Sequence, residues 1–394
     1  MKYFLVLFLF CFIFSSQAQL LRINSKDSLN GKPKSTVYVK GNVKVSGFVD
    51  FKGIPNESAV NLPSIPTARD SVASDAQYSA DLYQSRIALG SVLQTEKLGP
   101  IVGYIEGDFY GNGGGGFRLR HAYITMKNFR IGQSWSAFTD VDSWPNITDF
   151  DGPATGIWVR SAQISYRFDL SNQNSIMVSV EKPTEDFSRY LEIDEFIQPA
   201  NQSYPDLIAH YRRNWARGHF QFGAVARLIE FRNEDEDTNT VFGGGINLSG
   251  SILPNGVDKF IWQAAAGSGI ARYLVSFGGG GWDAVPNLQG GIETVNTYGG
   301  YVSYQYYWGN KLKFAEGNQS KLSSTLVYGY VHLGNPLEIP QDSLITGSYA
   351  SANLYWHLLP ELNFAFEGIY GYRTDEFGSS GDDVRLQFIM EYYF

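Results

Sequence analysis

The stretch that decides the fold is Gly381-Asp-Asp-Val-Arg-Leu-Gln-Phe-Ile-Met-Glu-Tyr-Tyr-Phe394. Taken alternately, one face carries Val384, Leu386, Phe388, Met390, Tyr392 and Phe394. The other carries Asp383, Arg385, Gln387, Ile389, Glu391 and Tyr393. A period of two is the signature of a β-strand, here with one apolar side and one mostly polar side. The strand finishes on three aromatics with no polar tail. An apolar strand at a water-exposed edge is an aggregation hazard. In a closed barrel in lipid the same strand is a wall element with its aromatic girdle.

The other end of the chain agrees. Met1-Lys2 is a short basic region, Tyr3 to Phe14 is an apolar run, and Ser16-Gln17-Ala18 is a small-x-small cleavage site. This predicts a secretory signal peptide over 1–18, cleaved near Ala18, and not a membrane-spanning helix. The only cysteine, Cys11, lies inside the apolar run, and Leu9-Phe10 before it does not make a lipoprotein signal. The exported chain then has no thiol for disulfides or covalent chemistry.

Composition narrows the class further. Tyr and Phe number 25 and 27, Gly 42, and the mean hydropathy is −0.20. No later span approaches the roughly 18 apolar residues of a transmembrane helix. Polar averages with abundant aromatics are what a lipid-embedded barrel produces, because its lumen face cancels its lipid face. Losing Lys2 with the leader leaves 30 basic and 39 acidic residues, a net of −9, which argues against nucleic acid as a partner.

Residues 19–36 read as a short flexible lead-in, and 37–394 as one barrel domain. Alternating segments fall at roughly 40–53, 81–93, 100–110, 117–128, 129–138, 156–168, 174–183, 206–216, 218–232, 239–251, 258–270, 294–308, 321–333, 347–357, 361–374 and 381–394. The expected fold is therefore all-β: a transmembrane antiparallel barrel of about sixteen strands. Short links, such as 96–99 and 216–218, alternate with long ones at 54–80, 139–155, 184–205, 271–293 and 334–346. That alternation is the bacterial outer-membrane pattern, with short turns on the periplasmic side.

Charge placement follows from the same alternation. An Arg or Lys facing lipid at midplane costs about 2–4 kcal/mol. Arg86 on strand 2, Glu106 and Asp108 on strand 3, and Arg118 and Arg120 on strand 4 are therefore expected in the lumen. Tyr123 is expected opposite the arginines. Such a wall is either self-neutralised bracing or a ladder of arginines that draws anions, since the guanidinium holds carboxylates bidentately. Residues 139–155 carry Asp140, Asp142, Asp149 and Asp151 with two prolines. A loop this long and stiff is usually functional, and in a large barrel it is expected to fold inward as a constriction. Asp140-x-Asp142 lacks the glycine and distal glutamate of a calcium loop, so no metal is expected there.

Several motifs together carry a family resemblance. Glu106-Gly-Asp-Phe-Tyr-Gly111, Phe117-Arg-Leu-Arg-His-Ala-Tyr123, Gly132-Gln-Ser-Trp-Ser-Ala-Phe-Thr-Asp140, Asp149-Phe-Asp-Gly-Pro153 and Pro205-Asp-Leu-Ile-Ala209 resemble, in order, the motifs of the DcaP-like porins. The resemblance is densest over 81–168. It implies a homotrimeric sixteen-stranded outer-membrane porin for dicarboxylates and other small anions. It also implies that Arg86, Arg118 and Arg120 line the eyelet and that 139–155 is the constriction loop. The lead-in 19–36 has no heptads, so no coiled-coil stalk is expected.

Other features take plain readings. Gly113–Gly116 and Gly278–Gly281 are not followed by Lys-Ser/Thr, so mobile loops are expected and not phosphate cradles. The acidic tip Asn233–Asp237 reads as solvated, with divalent-bridged lipopolysaccharide as an alternative. The five histidines show no metal-binding spacing, and no cofactor is expected. His210 and Arg212 share a face of strand 8 and extend the basic wall, while Arg213 needs a bulge or a rim position. Arg160 and Arg167 have opposite parity on strand 6, so one of them breaks the alternation. The functional alternatives are a passive channel for small hydrophilic solutes, an adhesive or structural barrel, and a barrel hydrolase. The last would need a Ser–His or Asp–His group near one rim, and no defensible sequence motif supplies one.

Overall fold

The computed structural model describes residues 21–394 apart from 53, 55–57, 70–75, 185–196, 234–236, 288–289, 310–320 and 335–341. The signal peptide, the centre of the acidic tip 233–237 and most of the 184–205 and 334–346 links fall outside the described residues.

Sixteen strands form the barrel: β1 (Ser35–Asp50), β2 (Arg86–Thr95), β3 (Gly99–Gly111), β4 (Gly116–Met126), β5 (Phe129–Trp135), β6 (Arg160–Asp169), β7 (Asn174–Glu181) and β8 (Asp206–Trp215), then β9 (Gly218–Arg232), β10 (Thr238–Ile252), β11 (Lys259–Ser268), β12 (Asn296–Tyr307), β13 (Leu322–Leu333), β14 (Leu344–Leu359), β15 (Leu362–Asp375) and β16 (Ser380–Tyr393). Each pairs antiparallel with its sequence neighbours, and β16 pairs back onto β1 from Arg385↔Asp50 to Tyr393↔Asn42. The sheet is therefore closed, which satisfies every ladder hydrogen bond without an edge in lipid.

At the seam, Phe394 and Gly41 exchange both backbone hydrogen bonds at 3.0 Å. Leu21–Asn24 then continues the line of β16 by pairing with residues 36–39 of β1. The segment read as a flexible lead-in thus carries backbone pairing of its own. Further along the seam, Arg385 clamps Asp50 with two hydrogen bonds at 2.6 and 3.0 Å.

The alternation on β16 is inside-out. Phe388 is 47% exposed and Gln387 is fully buried. Val384, Met390 and Tyr392 are exposed with Phe388, whereas Asp383, Arg385 and Ile389 point inward. Elsewhere Ile87, Leu89, Ile105, Leu119, Ile124, Val178 and Leu354 project outward. That polarity is what lipid outside and water or protein inside require.

Departures from the expected strands are local. The second strand is interrupted: Gln77–Asp81 pairs with the end of β1, Ser85 N–H bonds to Leu82 O, and only then does β2 begin. Strand β5 stops at Trp135 and β6 starts at Arg160, so the segment between them is longer than 139–155. Gly113–Gly115, read as a mobile loop, forms the tight β3–β4 turn with φ of 78°, 134° and 81°, a region where only glycine sits without strain.

The lumen is not an open tube. Three loops fold into it and bury an apolar core that includes Ile54, Val60, Leu62 and Ile65, then Phe138, Ile147 and Ile157, then Ile270, Tyr273, Leu274 and Phe277. These pack on inward side chains of the β8–β15 wall such as Ile208, Val225, Ile261, Val327, Tyr349 and Ile369. The side bounded by β1–β7 keeps the polar lining.

Candidate functional site

The β3–β4 wall holds four of the expected charges. The register sets Asp108 opposite Arg118 and Gly107 opposite Leu119, but Glu106 opposite His121. Arg120 is the extra residue of a β-bulge, which locally re-aims side chains. The carbonyls of Leu119 and Arg120 accept hydrogen bonds from Gln133 Nε2 at 3.2 and 3.1 Å. Arg118 grips Asp108 bidentately at 3.0 and 2.7 Å. Arg120 bridges Asp108 at 2.9 Å and Glu106 at 3.0 Å. Tyr104 OH donates to the other oxygen of Glu106 at 2.5 Å. Arg120 and Asp108 are buried, so these pairs are firm and mutually neutralising. Arg86, opposite Asp108 on β2, makes no ion pair among the described residues, and its buried Nε has no hydrogen-bond partner.

The bulge also corrects an expectation. Tyr123, placed by simple alternation opposite the arginines, turns into the lumen beside Tyr104, and Ile124 takes the outward position. An inserted residue inverts parity for everything beyond it.

The segment between β5 and β6 crosses the interior, touching one wall after another. Asp140 accepts from Arg212 of β8 at 3.0 Å, and from His219 of β9 and Ser249 of β10 at 2.8 Å each. Asp142 pairs with the same Arg212 at 2.5 Å, and its carbonyl accepts from Lys259 of β11 at 3.0 Å. Ser143 O accepts from Tyr301 of β12, and Asn146 O from Asn353 of β14. Thr148 N–H donates to Glu367 of β15 at 2.5 Å, while its carbonyl accepts from Gln387 of β16 and Lys44 of β1, both at 3.2 Å. Phe150 finally stacks on Tyr110 of β3 at 4.7 Å.

The four loop acids do not act as one group facing the arginines. Asp140 and Asp142 are held by Arg212 on the far wall. Burial alone would raise the Asp140 carboxyl, yet the His219 and Ser249 hydrogen bonds and the Arg212 charge hold it below the usual range. Asp149 is buried beside Glu367 and Tyr349, with one oxygen accepting from Val60 N–H at 3.1 Å. Burial, together with the neighbouring Glu367 and Asp151 charges, pushes it up to about 7 against the pull of Arg385. Asp151, which is exposed, is the one that stays within electrostatic reach of Arg118 and Arg120.

Alternation did not reveal the aromatic path along this segment. His121 meets Trp135 at 5.6 Å, Trp135 meets Trp144 at 5.6 Å, and Trp144 stacks on Trp158 at 4.1 Å. Arg118 lies 5.0 Å from the Tyr110 ring and 5.4 Å from Phe150, and Arg160 lies 4.9 Å from Trp135. The sequence signal was available in the tryptophans bracketing residues 136–157. Arg160 resolves its parity conflict by sitting where β6 begins and reaching the segment, whereas Arg167 faces the lumen paired with Asp169 at 2.9 Å. His210 and Arg212 face inward as expected, and Arg213 is exposed near the end of β8, at the rim.

On the short-turn side of the segment lies a cavity of about 560 Å³ bounded by β1, β3–β9 and residues 136–142. Another, of about 550 Å³, opens on the long-loop side and touches Val60, Tyr110, Asp151, Phe277 and Trp282. Below the first, Asp140, His219 and Ser251 form a hydrogen-bonded chain, with Ser251 Oγ 3.1 Å from His219 Nδ1. The order is that of a nucleophilic triad. However, His219 and Ser251 are each 5% exposed and Asp140 is already paired with Arg212, so the chain anchors the segment and presents no nucleophile.

The sequence pattern of the DcaP outer membrane protein family matches residues 18–192, which bears out the resemblance carried by the motifs. No curated protein matches in sequence. In fold, the chain is similar to the outer membrane channel DcaP of Acinetobacter baumannii, with a TM-score of 0.75 at 22% identity, covering 94% of this chain and 100% of that one. It is also similar to an anion-selective porin from Comamonas acidovorans, with a TM-score of 0.60 at 12% identity over 91% and 100%. A trimer form of OmpT from Vibrio cholerae matches with a TM-score of 0.52 at 10% identity over 91% and 99%. The chain is thus a sixteen-stranded barrel of the outer-membrane porin type.

Proposed function

We propose that this chain is a porin for passive diffusion of small hydrophilic solutes, favouring small anions such as dicarboxylates, and that it works as a homotrimer. The leader is cleaved near Ala18, and the mature barrel sits among outer-membrane lipid and lipopolysaccharide. The observation that carries the reading is the inward segment, which among the described residues leaves a cavity on each side of it and a charged β1–β7 side beside it. Arg86, Arg118 and Glu106 on one side, and Asp142 and Asp151 on the segment, are the pore-lining residues of this reading, while the buried Arg120, Asp108, Asp140 and Asp149 brace the wall and the constriction. Charged side chains at a narrow place select by sign and orient dipolar solutes. Diffusion of this kind needs no nucleotide and no cofactor. Among the described residues, neither an adhesive nor a hydrolytic role gains support from an exposed group in the lumen.

The test is single-channel recording of the purified protein in a planar bilayer, followed by reversal potentials in a salt gradient. Discrete, ohmic steps with anion selectivity are expected. A preparation that inserts and gives no conductance overturns the channel reading, and cation selectivity overturns the anion preference.

A further inference from the structure

Of the arginines expected to select anions, Arg118 and Arg120 are spent on Asp108 and Glu106 and only Arg86 is outside an ion pair, so charge available to a solute on the short-turn side must come from other residues. Two cations on the short-turn cavity stand apart from every ion pair among the described residues: Lys40 of β1 and Arg130 of β5. Lys40 Nζ lies 5.3 Å from the Tyr104 ring centroid, and Arg130 Cζ lies 5.2 Å from that of Tyr123. The two rings are themselves 5.4 Å apart on adjacent strands. Arg130 Nε is buried without a hydrogen-bond partner, as is Nδ1 of His121, whose ring packs edge-on against Tyr123.

We propose that Lys40 and Arg130, each held over a tyrosine ring, form the anion-recognition point of the channel on the short-turn side. This rests on the porin reading above and assigns its selectivity to residues other than the arginine ladder. An aromatic face holds a cation in place through its quadrupole and leaves the full charge in being. A carboxylate partner would instead cancel it, as Asp108 does for Arg118. Tyr104 is kept in orientation by its hydrogen bond to Glu106, and Tyr123 reaches the lumen only because of the bulge at Arg120. The bulge is therefore what assembles the pair of rings. Across the cavity Asp140 and Asp142 share Arg212 and Glu106 is paired with Arg120, which offsets part of the negative charge that an entering anion meets. The ligand class is a small solute with one or two carboxylates, approached by charge-assisted hydrogen bonds from two separate cations.

The experiment records reversal potential in a KCl gradient and block of the open channel by added succinate. It compares wild type, Lys40→Gln with Arg130→Gln, and the charge-keeping Lys40→Arg with Arg130→Lys. With the glutamine pair, the reversal potential is expected to move toward the cation side and succinate block to weaken by about tenfold, as for loss of a charged hydrogen bond. The charge-keeping pair is expected to restore both. An anion-selective wild type with selectivity and block unchanged in the glutamine pair overturns this assignment and leaves the porin reading standing. A non-selective or cation-selective wild type overturns the anion preference itself. Should the glutamine pair fail to insert, Lys40→Gln alone carries the test, because Lys40 is exposed.

Discussion

Arg212 Nη1 lies 3.0 Å from Asp140 Oδ1, and with His210, 2.7 Å from Ala137 O, it ties the start of the inward segment to the β8 wall. The same guanidinium reaches Asp142, whose side chain is 61% exposed and adds little in water. Arg212→Ala leaves Asp140 buried with only neutral donors and His219. A charged hydrogen bond of this kind is worth about 1.5–3 kcal/mol. The expected result is a noisier open channel with larger mean conductance, read from bilayer current fluctuations. Noise equal to that of the wild type would show that the other anchors of the segment hold it without Arg212.

Arg120 serves two carboxylates at once. Arg120→Ala strands Asp108 with Arg118 alone and leaves Glu106 with Tyr104. Removing one member of a buried ion pair costs about 3–5 kcal/mol. The heat-modification midpoint of the barrel on detergent gels should fall, and Arg120→Lys should recover only part of it, because an ammonium cannot bridge both acids in the same geometry. Full recovery by lysine would refute the bidentate role.

The tip of the inward segment should respond to pH. Asp149, raised to about 7 by burial and flanked by Glu367, holds its proton more tightly when docked than in water. An acid with a raised folded value stabilises docking fully below its ordinary value of 3.8, and that contribution is lost as pH climbs through about 7. Channel noise should therefore be low at pH 5 and grow toward pH 8. Asp149→Asn, a permanent stand-in for the protonated acid, should stay quiet throughout. A wild type whose noise is flat across that range would rule the mechanism out.

Gly41 sits where three strands meet. A Cβ there would lie 2.4 Å from Arg86 O and 2.9 Å from the Phe394 ring. Gly41→Val should open the β16–β1 seam and lower the yield of heat-modifiable barrel in membranes. Gly99→Ala, in a turn with open space around it, strains only its own backbone at φ 70° and should fold at a slightly lower midpoint. Equal yields from wild type and Gly41→Val would mean that the seam tolerates separation.

The fold was legible because a barrel in lipid writes a local code. Side chains alternate with a period of two, charges are barred from one face, and each strand is read without reference to its neighbours. The sixteen strands follow from Val384–Phe394 and its counterparts, whereas the inward direction of residues 139–155 was expected from the loop's length and prolines and from the family resemblance. The charges Arg86, Glu106, Asp108, Arg118 and Arg120 could be placed on the lumen face for the same reason.

Whom each charge meets was not legible, because pairing depends on register and on where a loop travels through space. A single inserted residue at Arg120 moved Tyr123 from the lipid face to the lumen and built a cavity wall that alternation denies. Asp140 lies 72 residues from Arg212 and 79 from His219 in the chain, and no local pattern announces such partners. The sequence by itself determined which faces meet lipid, since that is a free-energy cost borne by each residue alone. Only the tertiary structure decided which arginines are neutralised and which cations, Lys40 and Arg130 among them, keep their charge for a solute, since that is a property of pairs.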